Sequence, residues 1–262
     1  MEMIELIRTR KSVRTFDGKA LTESDIRKLT EYIGTVTNPY DIPVEFVLMD
    51  AGEHGLSSPV IQGEHLYIAG KVPLTEHCAE AFGYSFEKAV LYAWSLGIGT
   101  TWIGGTMKRE LFEREAGVRE GEIMPCVSPL GYPAKKRSVK EAGMRLAVRA
   151  DKRLKEEALF FENDFGTPLH TGDATIRTAL EAVRLAPSAV NKQPWRIVKQ
   201  GSSFHFFEKH SLGSGGAAWD VQKVDLGIAL CHFTEIAGGT LSVADPGTRT
   251  EKDTEYAATV TL

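Results

Sequence analysis

Cysteine is scarce in this 262-residue chain. Cys78, Cys126 and Cys231 stand far apart, and none belongs to a Cys-x-x-Cys pair. That argues against a disulfide framework or a zinc ribbon and makes a reducing cytosol the expected compartment. An excess of positive charge is missing too: 31 basic side chains face 35 acidic ones, for a net charge of −4. A nucleic-acid partner is therefore not expected. The first residues carry charge from Glu2 onward without an apolar stretch, so no signal peptide is expected. The longest uncharged run, Ala89 to Met107, holds Gly97, Gly99, Gly104 and Gly105 together with Ser95 and three threonines. A membrane span would be more apolar and less interrupted, so the run reads as a buried helix followed by a glycine-rich turn. Gly-Lys-Ser/Thr, H-E-x-x-H and G-x-S-x-G are all absent, which removes the P-loop, the zincin helix and the hydrolase elbow. Gly97-Ile98-Gly99 opens like a dinucleotide fingerprint, but Trp102 replaces the third glycine and a helix, not a strand, precedes it. The seven histidines are scattered and read as surface or satisfied core residues.

The chain does have 42% apolar residues, enough for a sizeable core. Thr22 and Asp25 form a capping-box-like pair, with Leu21 and Ile26 at staple positions. They predict a helix with Ile26, Leu29 and Ile33 on its apolar face and Gly34 as a left-handed cap. Strands are predicted at Val44 to Met49, His65 to Ala69 and Met124 to Leu130, and a helix at Ser85 to Leu96 stopped by Gly97. Lys135 to Glu157 holds nine basic and four acidic residues and reads as a solvated connector with some helix.

Beyond it the order recurs. A helix carries Ile176, Leu180 and Val183. Strands follow at Trp195 to Val198 and Phe204 to Glu208, then a helix with Val221, Val224, Ile228 and Cys231. Ile26-Arg27 matches Ile176-Arg177 at an offset of 150, and Phe46-Val47 matches Ile197-Val198 at 151. Gly104-Gly105 and Gly238-Gly239 read as matching ends of the two long helices. The expected organisation is an internal duplication, residues 1–150 and 151–262, packed as one unit.

Three segments carry the chemistry. Arg8, Arg10, Lys11 and Arg14 cluster around Ser12 without an acid, a donor set suited to one phosphate as well as to a solvated helix end. Ala186 to Trp195, APSAVNKQPW, fixes its backbone with two prolines and offers Ser188, Asn191 and Gln193 as short polar groups. Gly97 to Gly105, GIGTTWIGG, lets backbone approach a ligand and exposes N–H groups.

Together these segments resemble the FMN-dependent nitroreductase family. Arg10-Lys11-Ser12-Val13-Arg14 matches its R-x-S-x-R/K, Leu96 to Gly104 its L-G-[LI]-G-T-x-W-I-G, and Ala186 to Trp195 its A-P-S-x-x-N-x-Q-P-W. The order departs from ordinary members, which hold all three motifs in one subunit and pair subunits around the flavin. Here the A-P-S-x-x-N segment lies in the second repeat, and Gly34 to Tyr40 takes its place in the first. At an offset near 150 the basic cluster would meet Phe160, Glu162 and Asp164. The chain is similar to a single-chain pseudo-dimer branch whose halves divide one site.

The resemblance implies an α+β fold, antiparallel or mixed sheets flanked by helices. One FMN would lie between the halves. Its phosphate would meet Arg10, Lys11, Ser12 and Arg14, with Lys135 and Arg137 as later basic contacts. Pro187, Ser188 and Asn191 would reach it from the second half. Backbone N–H groups of Ile103, Gly104 and Gly105 would face flavin N5 and O4. No side chain would be catalytic and no metal is implied. NAD(P)H would reduce the flavin, and a nitroaromatic, quinone or similar small acceptor would reoxidise it in ping-pong fashion. A flavin-binding sensor or storage protein, or a flavin enzyme of another kind such as a reductive dehalogenase, is the alternative. The expected protein is cytoplasmic, without a membrane partner, and needs no further oligomerisation.

Overall fold

Two of the side-chain-capped helices show how their ends dictate them. Thr22 Oγ1 accepts the Asp25 N–H at 3.1 Å at the start of α2 (Glu23–Ile33). The return half of the box runs through Tyr132, whose hydroxyl accepts the Thr22 N–H and donates to Asp25. Gly34 ends the helix with φ −67°, not as a left-handed cap. In the second half Asp173 accepts two N–H groups at the start of α6 (Ala174–Leu185).

The computed structural model describes residues 2–136, 138–212, 219–248 and 251–262. Before α2 lies α1 (Met3–Thr9). After it come β1 (Glu45–Asp50), β2 (Leu66–Pro73), α3 (Cys78–Ser95), α4 (Arg109–Glu115), β3 (Glu122–Ile123), β4 (Val127–Leu130) and α5 (Val139–Ala147). Then follow β5 (Phe160–Glu162), α6, β6 (Trp195–Gln200), β7 (Ser203–Lys209), α7 (Val221–Ala237), β8 (Thr240–Ser242) and β9 (Thr254–Thr261). In the first sheet β2 pairs antiparallel with β1 on one side and with β3 and β4 on the other. The second sheet runs β5-β6-β7-β9-β8, antiparallel except for the parallel β5–β6 pair. The fold is thus mixed α+β, as expected.

Several boundaries differ from the sequence reading. α3 begins at Cys78, seven residues before Ser85; its first two turns, Glu80 included, are buried throughout and lack a side-chain cap, so no polar stripe marks them. It ends at Gly97 with φ +78°, so Gly104-Gly105 is not its terminus, whereas α7 does end at Gly238. The Met124 to Leu130 strand starts only at Val127; Glu122–Ile123 is a separate strand. Part of the connector is helical, as α5.

One buried cluster joins both halves, from Leu29, Phe82 and Phe86 to Trp195, Phe206 and Phe233. Its centre is the crossing of α3 and α7. A Cβ built on Gly83 would stand 2.1 Å from the Val224 carbonyl oxygen, and one on Gly227 would stand 2.0 Å from that of Glu80. Only glycine permits this approach. The contact is reciprocal: Glu80 and Gly83 of one helix meet Val224 and Gly227 of the other at matching spacing.

Gly83→Ala or Gly227→Ala should therefore destabilise the protein by at least about 1–3 kcal/mol through overpacking. Gly143, inside α5 with nothing near its would-be Cβ, should behave oppositely. Gly143→Ala should stabilise α5 by up to about 1 kcal/mol. Urea denaturation of the three variants checks both signs.

Candidate functional site

The first two motifs meet because the chain leaving α1 runs alongside the glycine-rich turn. Ser12 bridges Thr100, and the Val13 N–H donates to the Thr100 carbonyl at 2.8 Å. A Cβ on Gly99 would sit 2.9 Å from Val13 Cβ, so this contact also needs a glycine. Gly99 donates in turn to the Gly131 carbonyl at 2.8 Å, and Phe16 bridges Pro133. The Gly131-Tyr132-Pro133 turn thereby brings Lys135 to Lys11. Both line a cleft of about 410 Å³ with Val13, Thr15, Ala134, Lys136 and Glu141. Arg137 lies outside the described residues.

Arg10 turns inward instead. Its side chain is 6% exposed, its Nε stands 4.0 Å from Glu87 Oε1, and its Nη1 is buried without a hydrogen-bond partner. Burial lowers its pKa; Glu87 opposes the shift and Arg145 adds to it. Arg14 is lowered for the same reason, with Glu141 opposing and Arg145 adding. Burial also lowers Arg153, and Arg10, Arg184 and Arg145 deepen the shift. Arg145 pairs with the exposed Asp151. Four arginines, two from the basic segment and two from the connector, thus gather together, and Arg153 Nε, like Arg10 Nη1, has no partner. Sequence reasoning missed Arg145 and Arg153. The nine basic residues of Lys135 to Glu157 were the available signal, and they read as solvated.

Arg153 also carries the link to the third motif. Its guanidinium donates to the Leu185 carbonyl at the end of α6 and to Asn191 Oδ1 at 3.4 Å. Asn191 Nδ2 donates to the carbonyls of Arg149 and Lys152 at 2.8 and 3.0 Å, and Gln193 Oε1 accepts the Leu154 N–H at 2.9 Å. The loop is held in an unusual shape. Val190, Asn191 and Gln193 all have positive φ, at 42°, 59° and 51°. Such strain costs on the order of 1–3 kcal/mol per residue and collects at functional sites. Ser188 Oγ steadies the loop by accepting the Gln193 N–H, and both Asp225 oxygens lie 3.0 Å from the Ala189 nitrogen. Burial holds the Asp225 carboxyl well above the usual range, opposed by that N–H. Pro187 is half-buried at the entrance to the loop.

The glycine-rich turn offers fewer donors than its sequence implies. The Ile103 N–H is committed to the Val127 carbonyl at 2.9 Å. Among the described residues, the N–H groups of Gly104 and Gly105 make no hydrogen bond. Arg109 pins this turn, donating to the carbonyls of Gly104, Met124 and Pro125. Burial pushes the neighbouring Cys126 thiol up to about 12, which keeps it protonated and unreactive. Trp102 points back into the protein, donating to Glu87 Oε2 at 3.1 Å.

The sequence model of the "Putative TM nitroreductase" family matches residues 2–237. The chain belongs to this family. Nitroreductases are oxidoreductases, and the fold agrees. A nitroreductase structure from Thermotoga maritima MSB8 is 20% identical and aligns over 100% of this chain and 94% of its own, with a TM-score of 0.62. A nitroreductase family protein from Clostridium novyi NT aligns over 52% of this chain and 87% of its own, at 17% identity and TM-score 0.44. An FMN-dependent nitroreductase from Clostridium difficile R20291 aligns over 53% and 93%, at 16% identity and TM-score 0.45. No curated protein sequence is significantly similar.

In this chain Trp195 is fully buried at the start of β6. Trp195→Ala should cost about 3–5 kcal/mol of global stability. Asn191→Ala removes the two carbonyl contacts just described, worth roughly 0.5–1.5 kcal/mol each. Its effect should be local: faster amide hydrogen exchange over residues 149–154, with a much smaller change in melting temperature than for Trp195→Ala.

Proposed function

We propose that this nitroreductase-family chain is an FMN-dependent NAD(P)H oxidoreductase that passes electrons to a small nitroaromatic, quinone or similar acceptor. The observation that carries the reading is the arginine cluster. Arg10, Arg14, Arg145 and Arg153 converge with few acids, and two of their buried donors have no partner. A dianionic phosphate satisfies both the charge and the orphaned N–H groups. A single monophosphate needs no second anion site, which favours FMN over FAD. The cleft lined by Lys11 and Lys135 adjoins the cluster at Glu141, which also acts on Arg14, and on this reading Lys11, Ser12 and Lys135 complete the donor set.

When bound, FMN supplies the redox chemistry; the chain supplies position and electrostatics. Gly104 and Gly105 offer open N–H groups to an electron-rich edge of the ring, a role closed to Ile103. Pro187 and Ser188 shape the wall contributed by the second half. Asn191 acts on the phosphate side through Arg153, which it orients. This chemistry requires no acid–base side chain.

We also infer one site per chain, divided between residues 1–150 and 151–262. The reciprocal Gly83–Gly227 crossing already supplies inside the chain the kind of self-complementary contact a dimer makes. A second site lacks its parts. Phe160 and Glu162 belong to β5, paired with β6, and Phe160 is buried. Asn38, in the Gly34 to Tyr40 segment that takes the loop's place, is spent on the Ile42 carbonyl and Ser85. Three buried free cysteines suit the cytosol, and among the described residues no helix is long and apolar enough to cross a membrane.

Purified protein reconstituted with FMN should be yellow, with one flavin per chain at concentrations where light scattering shows a monomer. Arg10→Ala and Arg153→Ala should each weaken FMN, read by flavin fluorescence, by about tenfold to a hundredfold, the equivalent of one charge-assisted hydrogen bond. Oxidation of NADH or NADPH in the presence of a nitroaromatic acceptor tests turnover. A ratio near two, or affinity unchanged in both variants, overturns the divided arginine site.

A further inference from the structure

Away from the arginine cluster, the end of β7 and the start of α7 assemble a second polar group of side chains. Glu208 is 1% exposed, and both of its carboxylate oxygens are buried without a hydrogen-bond donor. That is an expensive arrangement for a carboxylate. His210 Nδ1 stands 3.0 Å from Glu208 Oε1 but is not aligned to hydrogen-bond with it. Asp220 caps α7, using Oδ1 to accept the Gln222 N–H at 2.7 Å. One ligand atom from each of Glu208, His210 and Asp220 lies within 4.8 Å of the others. Behind His210, its Nε2 is 3.4 Å from Glu255 Oε2, and Glu255 Oε1 is 3.3 Å from Lys223 Nζ.

We propose that Glu208, His210 and Asp220 bind a divalent transition-metal ion of the zinc type. Two carboxylates and one imidazole nitrogen are a ligand set that zinc accepts, whereas magnesium and calcium favour oxygen alone. Ligand atoms about 2.0–2.2 Å from one ion stand within roughly 4 Å of one another. Small rotations of the partly exposed His210 and Asp220 close the remaining gap. Glu255 takes the outer position, accepting from the far nitrogen of a metal-bound histidine and fixing its tautomer. Among the described residues, Lys223 pairs with Glu255 and not with Glu208, so no lysine or arginine is paired with the buried carboxylate.

The ion acts as a clip between the end of β7 and the first turn of α7. Trp195 is the register partner of Glu208 across β6 and β7, and Asp225, further along the start of α7 from Asp220, holds the Ala189 N–H. The clip therefore buttresses the strained 187–195 loop from behind. This proposal does not depend on the flavin reading, because its ligands take no part in the arginine cluster.

The test is calorimetric titration of tag-free, metal-stripped full-length protein with Zn²⁺, paired with thermal melts and without added flavin. Wild type should take up one Zn²⁺ per chain and melt at higher temperature with it. Glu208→Gln and His210→Gln should each weaken that binding at least tenfold and abolish the thermal shift. Mg²⁺ at the same concentration should do neither. If Glu208→Gln does not fold, His210→Gln, at a partly exposed position, decides the matter. Absence of stoichiometric Zn²⁺ uptake, equal uptake by His210→Gln, or an equal response to Mg²⁺ overturns the proposal.

Discussion

The fold depends on two helices that touch through bare backbone. With Gly83 and Gly227 at the crossing, α3 and α7 approach until each would-be Cβ overlaps a carbonyl of the other helix. At that separation the polar side chains along the seam can reach across. Tyr84 Oη lies 2.8 Å from Thr234 Oγ1, Lys88 Nζ 3.1 Å from Glu235, and Glu87 Oε1 3.0 Å from His232 Nε2. Each pair joins a residue of the first half to one of the second. A helix pair held apart by ordinary side chains would leave Glu87 and His232, both essentially unexposed, without each other.

Glu87 converts that seam into a support for the site. One oxygen faces His232 and Arg10, and the other accepts from Trp102. The basic segment, the glycine-rich turn and α7 therefore share one buried carboxylate. His232 Nδ1 faces the Ala182 carbonyl at 2.8 Å, so it carries a proton and donates there. That bond ties α6, which feeds the 187–195 loop, into the same network. Buried charge of this kind is weak evidence for stability, since a packed apolar set often does as well. Its value here is positional, because three distant segments are fixed to a common atom group.

Legibility followed local chemistry. α2 and α6 announce themselves because their caps and apolar stripes lie within a few residues of each other in the chain. β6 and β7 are dense in large apolar side chains, so their strands stand out too. α3 is buried on nearly every face, which leaves no polar stripe to mark its first turns, and so Cys78 to Tyr84 went unread. β9, mostly Thr, Ala and Val with Glu255 and Tyr256 inside it, has few large apolar side chains to mark it as a strand, yet it is sandwiched between β7 and β8. At the site, Arg10, Arg14 and the proline-bounded loop were legible as motifs. Arg145 and Arg153 were not, because composition cannot distinguish a solvated arginine from one folded into the protein. The commitment of the Ile103 N–H to Val127 was hidden as well, since it depends on a strand about two dozen residues away.

The connector and the strained loop explain one another. Three left-handed residues, one of them the β-branched Val190, would relax in an isolated loop. They persist because Asn191 and Gln193 can reach the backbone groups of Arg149, Lys152 and Leu154 only from that shape. The same bonds draw Arg153 toward Arg10 and Arg145, against the mutual repulsion of like charges. Two opposed terms therefore act on one segment: hydrogen bonds to the loop pull it down, and crowded guanidinium groups push it away. On the proposed reading, a phosphate removes the second term and leaves the first. Binding free energy and closure of the connector are then the same quantity seen from two sides. The loop motif and the basic motif, in opposite halves of the chain, meet through a segment that carries neither.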